Sequence, residues 1–222
     1  MNLPGGGSRR LGDIEADYAS WSSDGKRIIY AKGHDLYVAK GDGSESRKIA
    51  SIQGLAFMPR SSPNGKVIRF SVDDGLGVLS LWEINLDGSA PHVLFPSASK
   101  QRFECCPIWT PDGKYFLFVR GTRDRYDEAH VWVLRENRNP LRRSVPEPTQ
   151  LTSGPLNYNF PELSPDSKRL FVIGSQRRGE MMRYDHVARR FIPYLSGIPA
   201  DGLNISRDGK WMVYVSLKER ML

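Results

Sequence analysis

The chain reads as an all-β protein, a β-propeller of four-stranded antiparallel blades, on three observations. A short turn string recurs five times, its copies are spaced by about the length of one blade, and an apolar, β-branched run follows each copy. The copies are Ser22-Ser23-Asp24-Gly25-Lys26, Ser62-Pro63-Asn64-Gly65-Lys66, Thr110-Pro111-Asp112-Gly113-Lys114, Ser164-Pro165-Asp166-Ser167-Lys168 and Ser206-Arg207-Asp208-Gly209-Lys210. Their first residues, 22, 62, 110, 164 and 206, give steps of 40, 48, 54 and 42 residues.

The turn comes first. Proline presets φ at the first turn position, Asp or Asn bonds back to its own backbone, and glycine accepts positive φ. The run after each turn is the second strand of its blade: Arg27-Ile28-Ile29-Tyr30, Val67-Ile68-Arg69-Phe70, Tyr115-Phe116-Leu117-Phe118-Val119, Arg169-Leu170-Phe171-Val172-Ile173 and Trp211-Met212-Val213-Tyr214-Val215. Runs of this kind are expected to be buried on both faces, as when blade packs on blade. Third strands follow at Asp35-Leu36-Tyr37-Val38, Ser80-Leu81-Trp82-Glu83-Ile84, His130-Val131-Trp132-Val133-Leu134 and Met181-Met182-Arg183-Tyr184. Short fourth strands are expected at Arg47-Lys48-Ile49, His92-Val93-Leu94, Thr149-Gln150-Leu151 and Arg190-Phe191-Ile192. No apolar pattern of period 3.6 persists for three turns, so helices are not expected.

These elements set complete blades at residues 17–50, 55–97, 105–153 and 158–196, and an incomplete blade at 202–222. Residues 1–12 read as the outer strand of a preceding blade, carried by 8–12. Four complete blades with partial ones at both ends are expected to be a fragment of a six- to eight-bladed ring, in a protein that continues in both directions.

The 222 residues, 39% hydrophobic and 26% charged, suit a soluble globular protein with a sizeable core. No stretch approaches the length of a membrane-spanning helix, and the Met1-Asn2-Leu3-Pro4 start lacks a signal-peptide pattern. The two cysteines, Cys105 and Cys106, are adjacent, so a disulfide framework is excluded; a bridge between neighbours is strained, and two ordinary thiols are expected. The net charge of +7 comes partly from arginines at 135, 138, 142 and 143 and at 177, 178, 183, 189 and 190. They read as solvated loops and charged strand edges, in preference to a nucleic-acid surface.

Trp21 through Lys26, Trp109 through Lys114, and Gln150-Leu151-Thr152 resemble the TolB-type, WD-repeat-like propeller, whose blades run Trp-Ser-Pro-Asp-Gly-Lys, apolar strand, Asp-Leu-Tyr-Val, Asp-Gly, then a basic residue and Leu-Thr. Ser61 and Leu163 depart from it where tryptophan is usual, and Ser167 replaces the turn glycine. Glu104-Cys105-Cys106, and Phe191 through Ile198, resemble more narrowly the propellers C-terminal to bacterial winged-helix regulators of the CadC-like type. That resemblance implies a DNA-binding domain N-terminal to this segment, with a membrane helix between them in some members.

Catalytic patterns do not emerge. There is no Gly-x-Ser-x-Gly, His-Glu-x-x-His or Cys-x-x-Cys, and Gly5-Gly6-Gly7 is followed by no lysine or helix. The four histidines are scattered, with His130 at the start of a strand and His186 in a turn. Asp73-Asp74-Gly75 and the acidic residues of 124–128 lack the alternating ligands of a calcium loop. The tryptophans at 21, 82, 109, 132 and 211 recur at blade positions and are expected in blade cores. The expectation is no enzyme, no cofactor and no metal.

Two insertions in the third blade, 121–129 and 136–148, are the expected partner-contact loops, carrying Arg123, Asp124, Arg125 and Tyr126, and Arg138, Arg142 and Arg143. The expected function is a protein-interaction or ligand-sensing module of a larger bacterial regulatory protein. It binds a protein or small molecule on a propeller face, with no nucleic acid contact and no membrane insertion of its own. Two alternatives share the fold: a TolB-like periplasmic scaffold of the cell envelope, and the gating propeller of a prolyl-oligopeptidase-type serine peptidase. The compartment is open between the bacterial cytoplasm and the periplasmic face of a membrane-anchored parent.

Overall fold

Each repeat of the turn string closes on itself through the same hydrogen bonds. In the computed structural model, the Asp or Asn Oδ1 accepts from the Ser or Thr hydroxyl two residues earlier at 2.5–2.7 Å. It also accepts from the main-chain N–H two residues later at 3.0–3.1 Å. The hydroxyl oxygen in turn accepts the N–H five residues on, at 2.9–3.1 Å. The fourth position is left-handed in every copy: Gly25, Gly65, Gly113 and Gly209 have φ of 65–69°, and Ser167 has 56°. The structure describes residues 10–96, 102–122, 125–136, 147–164, 166–176, 179–195 and 200–216, without the side chains of 102, 125–128, 201 and 216.

These turns join antiparallel strands into successive blades. The first contains β1 (Tyr18–Trp21), β2 (Arg27–Lys32), β3 (Asp35–Lys40) and β4 (Arg47–Ser51), in that spatial order. The second contains β5 (Leu55–Ser61), β6 (Val67–Asp73), β7 (Leu79–Asn85) and β8 (His92–Val93). The third contains β9 (Arg102–Trp109), β10 (Tyr115–Thr122), β11 (Arg125–Arg135) and β12 (Thr149–Gln150). Then come three hairpins: β13 (Asn157–Leu163) with β14 (Leu170–Ser175), β15 (Met182–Asp185) with β16 (Arg190–Pro193), and β17 (Ala200–Ile205) with β18 (Met212–Ser216). No helix occurs among the described residues, and none is long and apolar enough to cross a membrane.

The chain divides into two compact units, Met1–Gly174 and Ser175–Leu222. In the first, the core lies between blades. Ile29, Leu36 and Val38 of the first blade meet Ala56, Ile68, Phe70 and Val72 of the second. Leu81 and Leu94 of the second meet Phe116, Phe118 and Leu134 of the third. Ile108, Leu117 and Val131 of the third pack on Tyr158, Leu163, Leu170 and Val172. The far side of the first blade is covered by Leu11 and Ile14, which lie on Ile28, Tyr30 and Ala39; Arg10 to Gly12 form no strand.

The expectation of burial on both faces holds for β2, β6 and β10. It fails for β14 and β18. In β14, Leu170 and Val172 face the third blade, whereas Phe171 and Ile173 are 58% and 59% exposed. In the second unit, consecutive residues Val213 to Val215 of β18 are all exposed, so both faces of that hairpin are open. The tryptophans divide likewise. Trp82, Trp109 and Trp132 are half-buried between blades, but Trp21 and Trp211 stand 54% and 74% exposed because they flank sheet faces that no described strand covers.

Candidate interaction surface

The third blade departs from the repeat by its length, and its strands fix where the expected contact loops attach. β10 runs on to Thr122 and β11 begins at Arg125, with those two residues paired. The segment expected as an open loop over 121–129 is therefore largely the tip of a long hairpin, since Gly121 and Ala129 lie inside the strands. Arg125 and Tyr126 are the first two residues of β11; Arg123 and Asp124 lie outside the described residues. Arg138, Arg142 and Arg143 also lie outside them, in the connection that leaves from the other end of β11. With 11 residues in β11, the two attachment points are roughly 33 Å apart at about 3.3 Å per residue.

The departure point of the second connection is firmly held. The Glu136 N–H donates to the Lys114 carbonyl at 2.8 Å, seating it on the turn between β9 and β10. Its carboxylate accepts from Nη1 of Arg69, whose Nε donates to Glu83 Oε2 at 2.8 Å. Arg69 is buried, its guanidinium 4.2 Å from the Phe116 ring centroid and 4.8 Å from that of Trp109. Such a cation satisfies its charge against two carboxylates and its faces against aromatic rings.

Arg120, in β10 of the third blade, is held in a similar way. It donates to Glu104 through Nε and Nη2 at 2.8 Å, with Phe95, Phe118 and Trp132 about 5 Å from its guanidinium carbon. Both pairs are directly cross-strand, Arg69 opposite Glu83 and Arg120 opposite Glu104. Reading the basic residues as loops and edges describes Arg135, Arg183, Arg189 and Arg190, which are exposed, and misses these two. The available signal was an arginine inside an apolar run, one hairpin away from a glutamate.

A third cluster lies where the first strands of successive blades meet, β5 against β9 and β9 against β13. β5 and β9 each carry a bulge in which two residues oppose one, at Met58-Pro59 and Cys106-Pro107, with φ of 50° and 62°; in β13, Phe160-Pro161 repeats the left-handed residue followed by proline, with φ of 51°. In β17, Gly202 at φ 66° marks the same place, four residues before the turn hydroxyl. Arg60 reaches Glu162 at 3.6 Å, linking β5 to β13. Cys106 lies beside them, its N–H donating to Ser71 Oγ at 3.1 Å.

The repeated acids are committed to the turns. The Thr110 hydroxyl and the Lys114 N–H hold the Asp112 carboxyl at a pKa of about 2, and the same bonds lower Asp24, Asp166 and Asp208. Asp73 and Asp74 are likewise engaged, accepting the N–H groups of Gly75 and of Leu76 and Val78. His130 lies within β11, 3.5 Å from the Thr152 hydroxyl, and His186 sits in the β15–β16 turn against Tyr184.

No protein-family model matches the chain. It is 26% identical over 175 residues to an uncharacterized protein of Agrobacterium fabrum, covering 76% of this chain and 58% of that one. The chain thus spans somewhat over half the length of that curated relative. Among solved structures, TolB from Acinetobacter baumannii superposes with a TM-score of 0.56 at 18% identity, over 88% of this chain and 47% of that one. The β-propeller domain of Cps50 (Swd1) from Myceliophteria thermophila gives 0.51 at 11%, over 90% and 66%. The fold is that of a TolB-like β-propeller.

Proposed function

We propose that this chain is a non-enzymatic protein-interaction module of a larger bacterial regulatory protein, and that its contact element is the arginine-bearing connection after β11. The observation that carries the reading is the anchoring of Glu136, clamped to Arg69 and to the Lys114 carbonyl at the root of that connection. Arg138, Arg142 and Arg143 follow within seven residues of this fixed point, which gives an acidic partner segment a preorganised base to meet. The turn acids take local donors on Oδ1, which gives these four carboxylates a structural role.

The coding sequence on either side of this segment tests the regulatory part of the proposal. A winged-helix domain encoded upstream supports it; a hydrolase domain with Gly-x-Ser-x-Gly encoded downstream overturns it in favour of a peptidase gate. In the full-length regulator, Arg138→Glu, Arg142→Glu and Arg143→Glu together are expected to abolish the transcriptional response without moving the thermal midpoint. An unchanged response removes the contact role from this connection.

The second reading, a TolB-like scaffold of the cell envelope, rests on the likeness to the Acinetobacter baumannii TolB fold. It requires a signal peptide and a separate N-terminal domain upstream.

A further inference from the structure

A regular strand points consecutive side chains to opposite faces, so neighbouring cysteines would ordinarily be kept apart. Here the bulge changes that. Cys105 pairs with Val119 and Ile108 with Leu117, which leaves Cys106 and Pro107 opposite Phe118 alone. With φ of 62° at Cys106, both thiols turn into one cluster with Phe103, Val119 and Ala129, and both are free.

The two sulfurs have different surroundings. Cys105 donates its S–H to the Cys106 sulfur, and with burial this holds its proton firmly, well above the ordinary thiol range. Cys106 is drawn below that range by the same hydrogen bond, with the Phe160 N–H and the Arg60 guanidinium adding to it against the cost of burial. Arg60 is partly exposed and its partner Glu162 largely so, and it is from this solvent-reached ion pair that the guanidinium acts on the Cys106 sulfur.

We infer that Cys105 and Cys106 form a peroxide-responsive thiol pair, in which Cys106 is the attacking sulfur and Cys105 the resolving one, and that the oxidised state is a reversible bridge between the two neighbours. The Cys106 thiolate attacks one peroxide oxygen, the O–O bond breaks, and hydroxide leaves, giving a sulfenic acid. The Cys105 sulfur then displaces that hydroxyl, its own proton leaving with it as water. Two electrons have passed from the thiols to peroxide. A bridge between adjacent residues is strained, so it is readily reduced again, as suits a labile site better than a structural one. Oxidation removes the ionisable sulfur that Arg60 acts on, at the junction of three first strands.

The folded protein is treated with a small excess of hydrogen peroxide at pH 7, quenched, unfolded in the presence of an alkylating agent and digested. The expected product is a peptide spanning both cysteines that is unalkylated, lighter by two hydrogens, and restored by dithiothreitol. In Cys105→Ser, the sulfenic acid at Cys106 is expected to persist and to be trapped by dimedone. Arg60→Gln is expected to slow alkylation of Cys106, because the guanidinium favours its thiolate. Thiols that resist peroxide in the folded protein and react only once it is unfolded in guanidinium would overturn the proposal, as would exclusively intermolecular bridges. The wild-type peroxide result stands without either variant, so a variant that fails to fold does not remove the test.

Discussion

Arg69 sits in the sequence Val67-Ile68-Arg69-Phe70-Ser71-Val72, and Ile68, Phe70, Ser71 and Val72 are all buried. Taking one charge out of water costs several kcal/mol unless it is paired and hydrogen-bonded. Glu83 and Glu136 supply that pairing, and the rings of Phe116 and Trp109 cover the guanidinium faces. The arginine was visible in the sequence but its role was not, because Glu136 belongs to the next blade and only the fold brings it near. The turn acids are the opposite case, legible in full because every partner lies within five residues. Asp112 is the clearest of them. Its pKa falls from an ordinary 3.8 to about 2 in the folded protein, chiefly through the Thr110 hydroxyl and then the Lys114 N–H. A carboxyl whose folded pKa lies below its unfolded one stabilises above the unfolded value, and that contribution is lost as pH falls from about 4 towards 2. Asn64 occupies the same place in the second copy, accepting the same two bonds through its amide oxygen. Asp112→Asn is therefore expected to leave the thermal midpoint at pH 7 nearly unchanged and to flatten its decline between pH 4 and 2. A calorimetric pH series checks this; an undiminished acid slope in the variant counts against the assignment.

At the scale of elements, the turn and the bulge show what the sequence makes legible and what it hides. The turn was readable because its residue types encode its dihedral angles, and the one copy that breaks the rule identifies itself. Ser167 holds φ at 56° where four copies place glycine at 65–69°. A residue with a Cβ costs about 1 kcal/mol or more in this conformation, partly offset by the freedom that glycine regains on unfolding. Ser167→Gly is expected to stabilise by about 0.5 to 1 kcal/mol, and Gly113→Ala to destabilise by about 1 kcal/mol. Urea unfolding curves measure both, and equal midpoints for Ser167→Gly and wild type would mean the turn tolerates the side chain without strain. The bulges were less readable. Pro59, Pro107 and Pro161 each stand three residues before the turn hydroxyl, and this regularity was available. Their effect lies in the residue before, where proline disfavours the helical region and the strand must absorb one extra residue. That the same kink also turns Cys105 and Cys106 into one cluster follows only from the register, which residue types alone do not specify.

For the whole molecule, the repeat announced the fold but not how well each repeat is covered. A propeller strand is apolar on both faces because it expects a blade on each side, and sequence alone cannot say where a covering blade is present. In the first unit, Phe171 and Ile173 are left open on the outer face of β14. In the second, Trp211, Val213 and Val215 are open, together with Leu203 and Ile205 on the paired strand. Contiguous apolar surface of this kind drives association, whereas a net charge of +7 opposes it through repulsion between like-charged copies. The two terms respond differently to salt. At about 0.15 M ionic strength the screening length is near 8 Å, and at 1 M about 3 Å, so added salt removes the repulsion while leaving apolar attraction intact or stronger. This 222-residue protein is therefore expected to self-associate increasingly as sodium chloride is raised, which is opposite to the behaviour of assemblies held by charge. Sedimentation velocity across a salt series measures the mass directly. Phe171→Lys with Ile173→Lys, and separately Trp211→Lys with Val213→Lys, should each reduce the association. A wild-type monomer at every salt concentration would show that these faces do not drive association, and dissociation on adding salt would place the contact among the surface arginines.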